Sequence, residues 1–175
     1  NIRFGFNAVK SMGRPTITAI IEERTNNGDF HSMQDFITRM AGVINKRTVE
    51  HLILAGAFDT FGNTRRGMMN VYERMIDSAV KQNKDAISGQ MSLFDFVSEE
   101  DKQSLEMKVP DIQEFEKEDL LEREKEVLGV YVTGHPLDEY TGMWEKHISA
   151  RSTDFLIDEE TGQAKLMNGS KQTIG

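Results

Sequence analysis

Two small-residue turns, Lys10-Ser-Met-Gly-Arg14 and Ala55-Gly-Ala-Phe58, each join stretches whose apolar residues recur at helical spacing. A helix that starts after such a turn presents backbone N–H groups with no intrahelical acceptor. Together with the helix dipole, these can hold a phosphate oxygen. Glycine suits the turn because a side chain would keep the backbone away from a sugar-phosphate strand. Basic residues stand close by: Lys10 and Arg14 at the first turn, Lys46 and Arg47 before the second, Arg65 and Arg66 after it. Two such units back to back could grip both strands of a duplex across the minor groove without reading bases.

The spacing Phe6, Val9, Met12, Gly13, Ile17, Ile20, Ile21 resembles the helix-hairpin-helix pattern, with Ser11 at its first glycine position and Ala57 replacing a glycine in the second hairpin. Spacing alone is met equally well by Gly13 and Gly56 acting as helix C-caps in an all-helical bundle. A second signal is Gln90-Met-Ser-Leu-Phe94, a pentapeptide flanked by polar and acidic residues. Its Leu93 and Phe94 suit an apolar groove on a partner, with the Gln90 amide hydrogen-bonding at one end. Docking onto the protein's own helices is the competing reading. For catalysis the chain offers little. His31, His51, His135 and His147 lack the i, i+4 spacing of a metal pair and have no nucleophile nearby in sequence. The runs Glu99-Glu-Asp101 and Asp158-Glu-Glu160 read as solvated surface, so neither a cofactor nor a metal is expected.

The elements that must position these residues read as mainly α. A helix follows Gly13, with Pro15 in its first turn and Asn26-Asn-Gly28 closing it. Ser32 is an N-cap with Asp35 in the first turn of the next helix, and Val49, Leu52 and Ile53 mark one face of a third. The longest stripe starts at an Asn63 cap and takes in Met68, Val71, Tyr72, Met75, Ile76 and Ala79. Periodicity fails from about Lys81 to Val109, which reads as a linker. Helix is expected again after Pro110, with an apolar stripe of Leu120, Leu121, Val127 and Leu128. Val130 to Thr133 either continues it or forms a short strand. Gly134-His-Pro136 reads as a turn, Leu137 to His147 as a further helix, and Phe155 to Met167 as a hairpin.

Charge divides the chain unevenly. The formal net charge is -8 with no cysteine, which excludes disulfide frameworks, thiolate zinc sites and cysteine nucleophiles. An acidic chain looks unsuited to nucleic acid. Yet the first 75 residues carry ten Lys/Arg against seven Asp/Glu, and the remaining hundred carry eleven against twenty-two, so the acidity belongs to the second half. No run of 18 apolar residues suggests a membrane span, and the first residues lack a signal-peptide layout. A chain that starts at Asn1 and stops in a polar stretch at Gly175 is expected to be an excerpt of a longer polypeptide.

Three blocks are specific enough to carry a family resemblance: Asn45-Lys-Arg47 with Leu52-Ile-Leu-Ala-Gly-Ala-Phe-Asp59, Ser88-Gly-Gln-Met-Ser-Leu-Phe94, and Glu124-Lys-Glu-Val-Leu-Gly-Val-Tyr-Val-Thr-Gly-His-Pro-Leu-Asp-Glu-Tyr140. In that order they resemble the alpha subunit of bacterial DNA polymerase III, of the DnaE type in the C family of polymerases. The resemblance implies a tandem helix-hairpin-helix domain over 1–86 that binds duplex DNA. It further implies a linker over 87–109 with a clamp-binding peptide, a helical connector over 110–148, and the start of a truncated OB-fold region over 149–175. It places DNA contacts at Lys10, Ser11, Met12, Gly13 and Arg14, at Ala55, Gly56 and Ala57, and at Arg65 and Arg66. Sliding-clamp contacts fall on Gln90, Met91, Ser92, Leu93 and Phe94. The implied partners are duplex DNA through its phosphates, the sliding clamp (beta subunit) and other replisome subunits, in the cytoplasm and with no membrane. The family's catalytic aspartates belong to an upstream palm domain, so this stretch would not itself polymerise DNA. A helical protein-interaction scaffold without DNA binding is the main alternative. A helix-hairpin-helix nuclease ranks last, for want of a carboxylate cluster that could hold metal.

Overall fold

A computed structural model of the chain describes residues 5–87, 107–140, 142–143, 155–157 and 164–166. Residues 1–134 and 135–175 form two separate compact units.

In the first unit, a 3-10 turn at Phe6–Ala8 leads into the first hairpin and then α1, Arg14–Asn27. Gly28, at φ 83°, ends α1 in a conformation that L side chains rarely adopt. Helix α2, Met33–Arg39, is capped by the Ser32 hydroxyl, which accepts from the Asp35 amide. Arg39 secures the join between these helices. It donates to the carbonyls of Glu23 and Gly28 at the end of α1, pairs with the Glu23 carboxylate at 2.9 Å, and lies over the Phe30 ring. Helix α3, Lys46–Leu54, is capped by Asn45, whose side chain accepts from the Thr48 amide. Helix α4, Arg65–Ile87, follows a 3-10 turn at Asp59–Phe61. The expected stripe of α4, Met68 through Ala79, is buried against Phe36, Ile37, Leu52 and Ile53 of α2 and α3.

Several expectations shift here. The cap of α4 is Thr64 rather than Asn63: its hydroxyl accepts from Gly67 N–H, and its carbonyl takes the first helical bond from Met68. Helix does not resume directly after Pro110. Residues 107–116 form a strap that is neither helix nor strand, and helix α5 spans Lys117–Leu128. Met107 and Val109 of the strap pack against the core, so the chain after the linker returns to the hairpin domain. Strap and α5 lie in the same compact unit as the hairpins, residues 1–134. Gly129, left-handed at φ 78°, ends α5, and Val130 to Thr133 is neither helix nor strand.

In the second unit, His135 N–H donates to Asp138 at 2.7 Å, and a 3-10 turn covers Asp138–Tyr140. The strands β1, Phe155–Ile157, and β2, Ala164–Leu166, pair antiparallel, with Phe155 opposite Leu166 and Ile157 opposite Ala164. That agrees with the expected hairpin. Of the expected helix over Leu137 to His147, Asp138–Tyr140 is the 3-10 turn and residues 141 and 144–147 lie outside the described residues, as does the Gln90–Phe94 peptide. The fold is mainly helical.

Candidate nucleic-acid interface

The first hairpin is held from behind and open in front. The peptide group of Lys10 is fixed on both sides: its N–H donates to the Val127 carbonyl at 2.9 Å, and its carbonyl accepts from His51 Nδ1 at 2.8 Å. A carbonyl can only accept, so that ring nitrogen carries the proton. Next comes Ser11 at φ 65°, the one non-glycine residue with positive φ among the described residues. It holds the left-handed turn where the pattern has its first glycine, at some conformational cost. Gly13 is the N-cap of α1 and is extended, at φ -78° and ψ 150°, with no side chain to cap the helix. Among the described residues, the amides of Ser11, Gly13, Arg14 and Thr16 make no hydrogen bond. Lys10, Ser11, Gly13 and Arg14 are exposed and Met12 is half-buried.

Gly13 itself is not demanded by the fold. Its φ is open to any residue, and an added Cβ would meet only Pro15 Cδ at 3.6 Å, an ordinary contact. A glycine there leaves room for something outside the chain.

The second hairpin departs from the expectation. Helix α3 ends in a Schellman motif: Gly56 N–H donates to the Ile53 carbonyl and Ala57 N–H to that of Leu52, while Ala55 N–H donates to His51. All three candidate amides are thus used inside the fold. Gly56 is needed for internal reasons as well. It is left-handed at φ 76°, and an added Cβ would collide with the Arg65 guanidinium.

Arg65, expected at the DNA contact, turns its side chain into the fold instead of to solvent. Its side chain is 5% exposed and each of its three nitrogens is hydrogen-bonded within the fold. Nη1 reaches the Leu54 carbonyl at 3.0 Å and Glu124 Oε1 at 2.8 Å, and Nη2 and Nε hold the two oxygens of Asp59 at 2.6 and 2.9 Å. Arg66, one residue on, is exposed. Lys46 is shared between Glu73 and Asp77 on α4.

The start of α4 has no vacant amide either. Glu114, carried by the strap, accepts from Arg65 N–H at 2.7 Å and Arg66 N–H at 3.0 Å, and Thr64 serves Gly67. The Thr64 hydroxyl donates in turn to the Ile112 carbonyl. Gly67 lets the strap cross: a Cβ there would lie 2.6 Å from the Pro110 carbonyl oxygen. A carboxylate of the chain therefore occupies the position that a phosphate would take.

The residue that sequence reasoning missed is Glu124, which is fully buried. Its second oxygen accepts from the amides of Val132 and Thr133 at 2.9 and 3.0 Å, opposite the Arg65 pair on the first. Burial pushes its carboxyl up, but those two amides and the guanidinium outweigh burial and hold it below the usual carboxylate range. Its signal was available, since a charge at position 124 falls on the Leu121 and Val127 stripe of α5. No group of three or more metal-capable side chains occurs among the described residues, and no helix there is long and apolar enough to cross a membrane.

Residues 1–68 match the family described as helix-hairpin-helix motif. The chain is also similar to curated proteins named DNA polymerase III subunit alpha. It is 35% identical to that of Chlamydia pneumoniae over 91% of this chain, 36% identical to that of Vibrio cholerae over 86%, and 34% identical to that of Escherichia coli over 96%. It covers 14%, 13% and 14% of those relatives, so it spans about one seventh of their length. A helix-hairpin-helix match at one end thus accompanies similarity, along most of the chain, to one stretch of DNA polymerase III alpha subunits.

Proposed function

We propose that this chain serves a replicative DNA polymerase as a processivity module, holding duplex DNA through the first hairpin and the sliding clamp through Gln90–Phe94. The observation that carries the DNA contact is Gly13. It is a glycine that neither backbone conformation nor internal packing requires, at an uncapped helix start between exposed Lys10 and Arg14. Phosphate oxygens suit such a site, and contacts made to phosphates carry no sequence information, which suits sequence-independent binding. Arg66 adds a side-chain phosphate contact. Arg65 and the Ala55-Gly56-Ala57 turn support the domain from within. With a modest positive balance in this half of the chain, the contact is weak alone. A tethered clamp raises its effective concentration.

A titration of labelled duplex DNA at several salt concentrations tests this. Binding should weaken steeply with salt, and Arg66→Ala should lower the slope of log K against log salt by about 0.9, one phosphate's worth. Gly13→Ala should weaken binding while leaving the fold intact. Salt-independent binding, or Gly13→Ala with wild-type affinity, would defeat the phosphate reading. For the clamp, Leu93→Ala with Phe94→Ala should abolish complex formation with a bacterial sliding clamp, and an unchanged affinity would remove that half of the proposal.

A further inference from the structure

We infer that Glu124 is a positioning residue for the first hairpin, acting across α5 to set where Lys10 to Arg14 stand. The inference rests on the DNA-binding reading for its purpose, but its geometry is independent of that reading. Lys10 is gripped between two elements, α3 through His51 Nδ1 and α5 through the Val127 carbonyl. The spacing of α3 and α5 therefore fixes the Lys10 peptide. That spacing is set by one buried node: Arg65 joins the Leu54 carbonyl at the end of α3 to the Glu124 carboxylate of α5. Val127 lies one turn along α5 from Glu124. The other Glu124 oxygen gathers the amides of Val132 and Thr133, fixing the chain just after the helix against the same carboxylate. One carboxylate thus connects the second hairpin, which makes no outward amide contact, to the first, which offers several.

A merely structural carboxylate and a positioning one differ in what they move. The test uses Glu124→Gln, which removes the charge at the same shape; Glu124→Asp, which keeps the charge and shortens its reach; and Glu114→Gln, which loosens α4 without touching Lys10. Amide hydrogen exchange of the free full chain is compared with duplex binding. Glu124→Gln should lower protection of the Lys10 amide by roughly tenfold and weaken duplex binding. Glu124→Asp should restore part of both, and Glu114→Gln should leave Lys10 protected. Unchanged Lys10 protection in Glu124→Gln overturns the inference, as does an equal loss in Glu114→Gln. Lowered protection with unchanged duplex affinity, where Gly13→Ala does weaken binding, also overturns it. Should Glu124→Gln not fold, Glu124→Asp measured against Glu114→Gln decides by the same criteria. Absence of salt-dependent duplex binding by the wild-type chain defeats the DNA reading, while the exchange comparison still decides the positioning.

Discussion

Three glycines of the hairpin domain are glycine for three different reasons, and replacing each by alanine separates them. Gly13 is extended, and its added Cβ meets one atom at 3.6 Å. The substitution should cost about 0.5–1 kcal/mol, the ordinary preference for Gly over Ala at an N-cap. Gly62 is left-handed at φ 79° with nothing within 4 Å of an added Cβ. Only the backbone term applies, so the loss should be about 1 kcal/mol, the left-handed penalty less the entropy alanine removes from the unfolded chain. Gly56 bears that term at φ 76° and also the collision with Arg65. A guanidinium 5% exposed, held by Asp59, Glu124 and the Leu54 carbonyl, has no solvent to retreat into. Displacing it leaves Glu124 buried without its partner, a loss of about 3–5 kcal/mol, so Gly56→Ala should lose about 4–6 kcal/mol in all. Urea unfolding followed by circular dichroism gives all three values on one scale. A Gly56→Ala loss within about 0.5 kcal/mol of Gly62→Ala would refute the account of Arg65 as the residue that Gly56 makes room for. A Gly13→Ala loss above about 1 kcal/mol would refute the claim that the fold does not need this glycine.

Other outcomes follow from the same contacts. Ser11→Gly should stabilise by about 0.5–1 kcal/mol, since it relieves a left-handed non-glycine residue at φ 65°; a destabilised variant in thermal melts would contradict the strain. Glu114→Ala should cost about 1–2 kcal/mol in urea unfolding, because two first-turn amides of α4 lose their charged acceptor. Glu124 and Glu23 both titrate below their usual value, Glu124 for the reasons above and Glu23 through Arg39 and Asn27. A carboxyl depressed in the folded state contributes stability that is present above its unfolded pKa and is lost as pH falls through the folded value. Unfolding free energy should therefore hold near neutrality and decline below pH 4.5, with a shallower decline in Glu124→Gln. An equal acid limb in that variant would show that Glu124 does not drive it.

The helices were legible in the sequence because their signals are local. Ser32 and Asn45 cap as their residue types suggest, and the Met68 to Ala79 stripe is buried as its period requires. The strap was not legible, because residues 107–116 have no period of their own and are held by scattered partners in Gln34, Thr64 and the first amides of α4. Arg65 was misread for a subtler reason. Position 65 lies three before Met68 and seven before Tyr72, on the buried stripe of α4, while Arg66 falls off it. Adjacent arginines looked equivalent as charge and were opposite as geometry. The same rule finds Glu124 on the Leu121 and Val127 stripe, so a charge of each sign on facing stripes marks this buried pair.

What distinguishes the two hairpins is not glycine content but where their backbone donors go. A helix start attracts an anion wherever it has amides to spare. At α4 the chain supplies that anion itself, as Glu114, and at the end of α3 the Schellman bonds leave nothing over. At α1 none is supplied among the described residues: the cap is Gly13, and Pro15 has no N–H to offer. The open donors sit next to Lys10 and Arg14, in the half of the chain with surplus positive charge. A repeated motif can therefore divide its labour, one copy spending its hydrogen bonds on the fold so that the other can be held still with its own unspent. On this argument a mutation that unpairs Arg65 should damage DNA binding only as far as it moves Lys10.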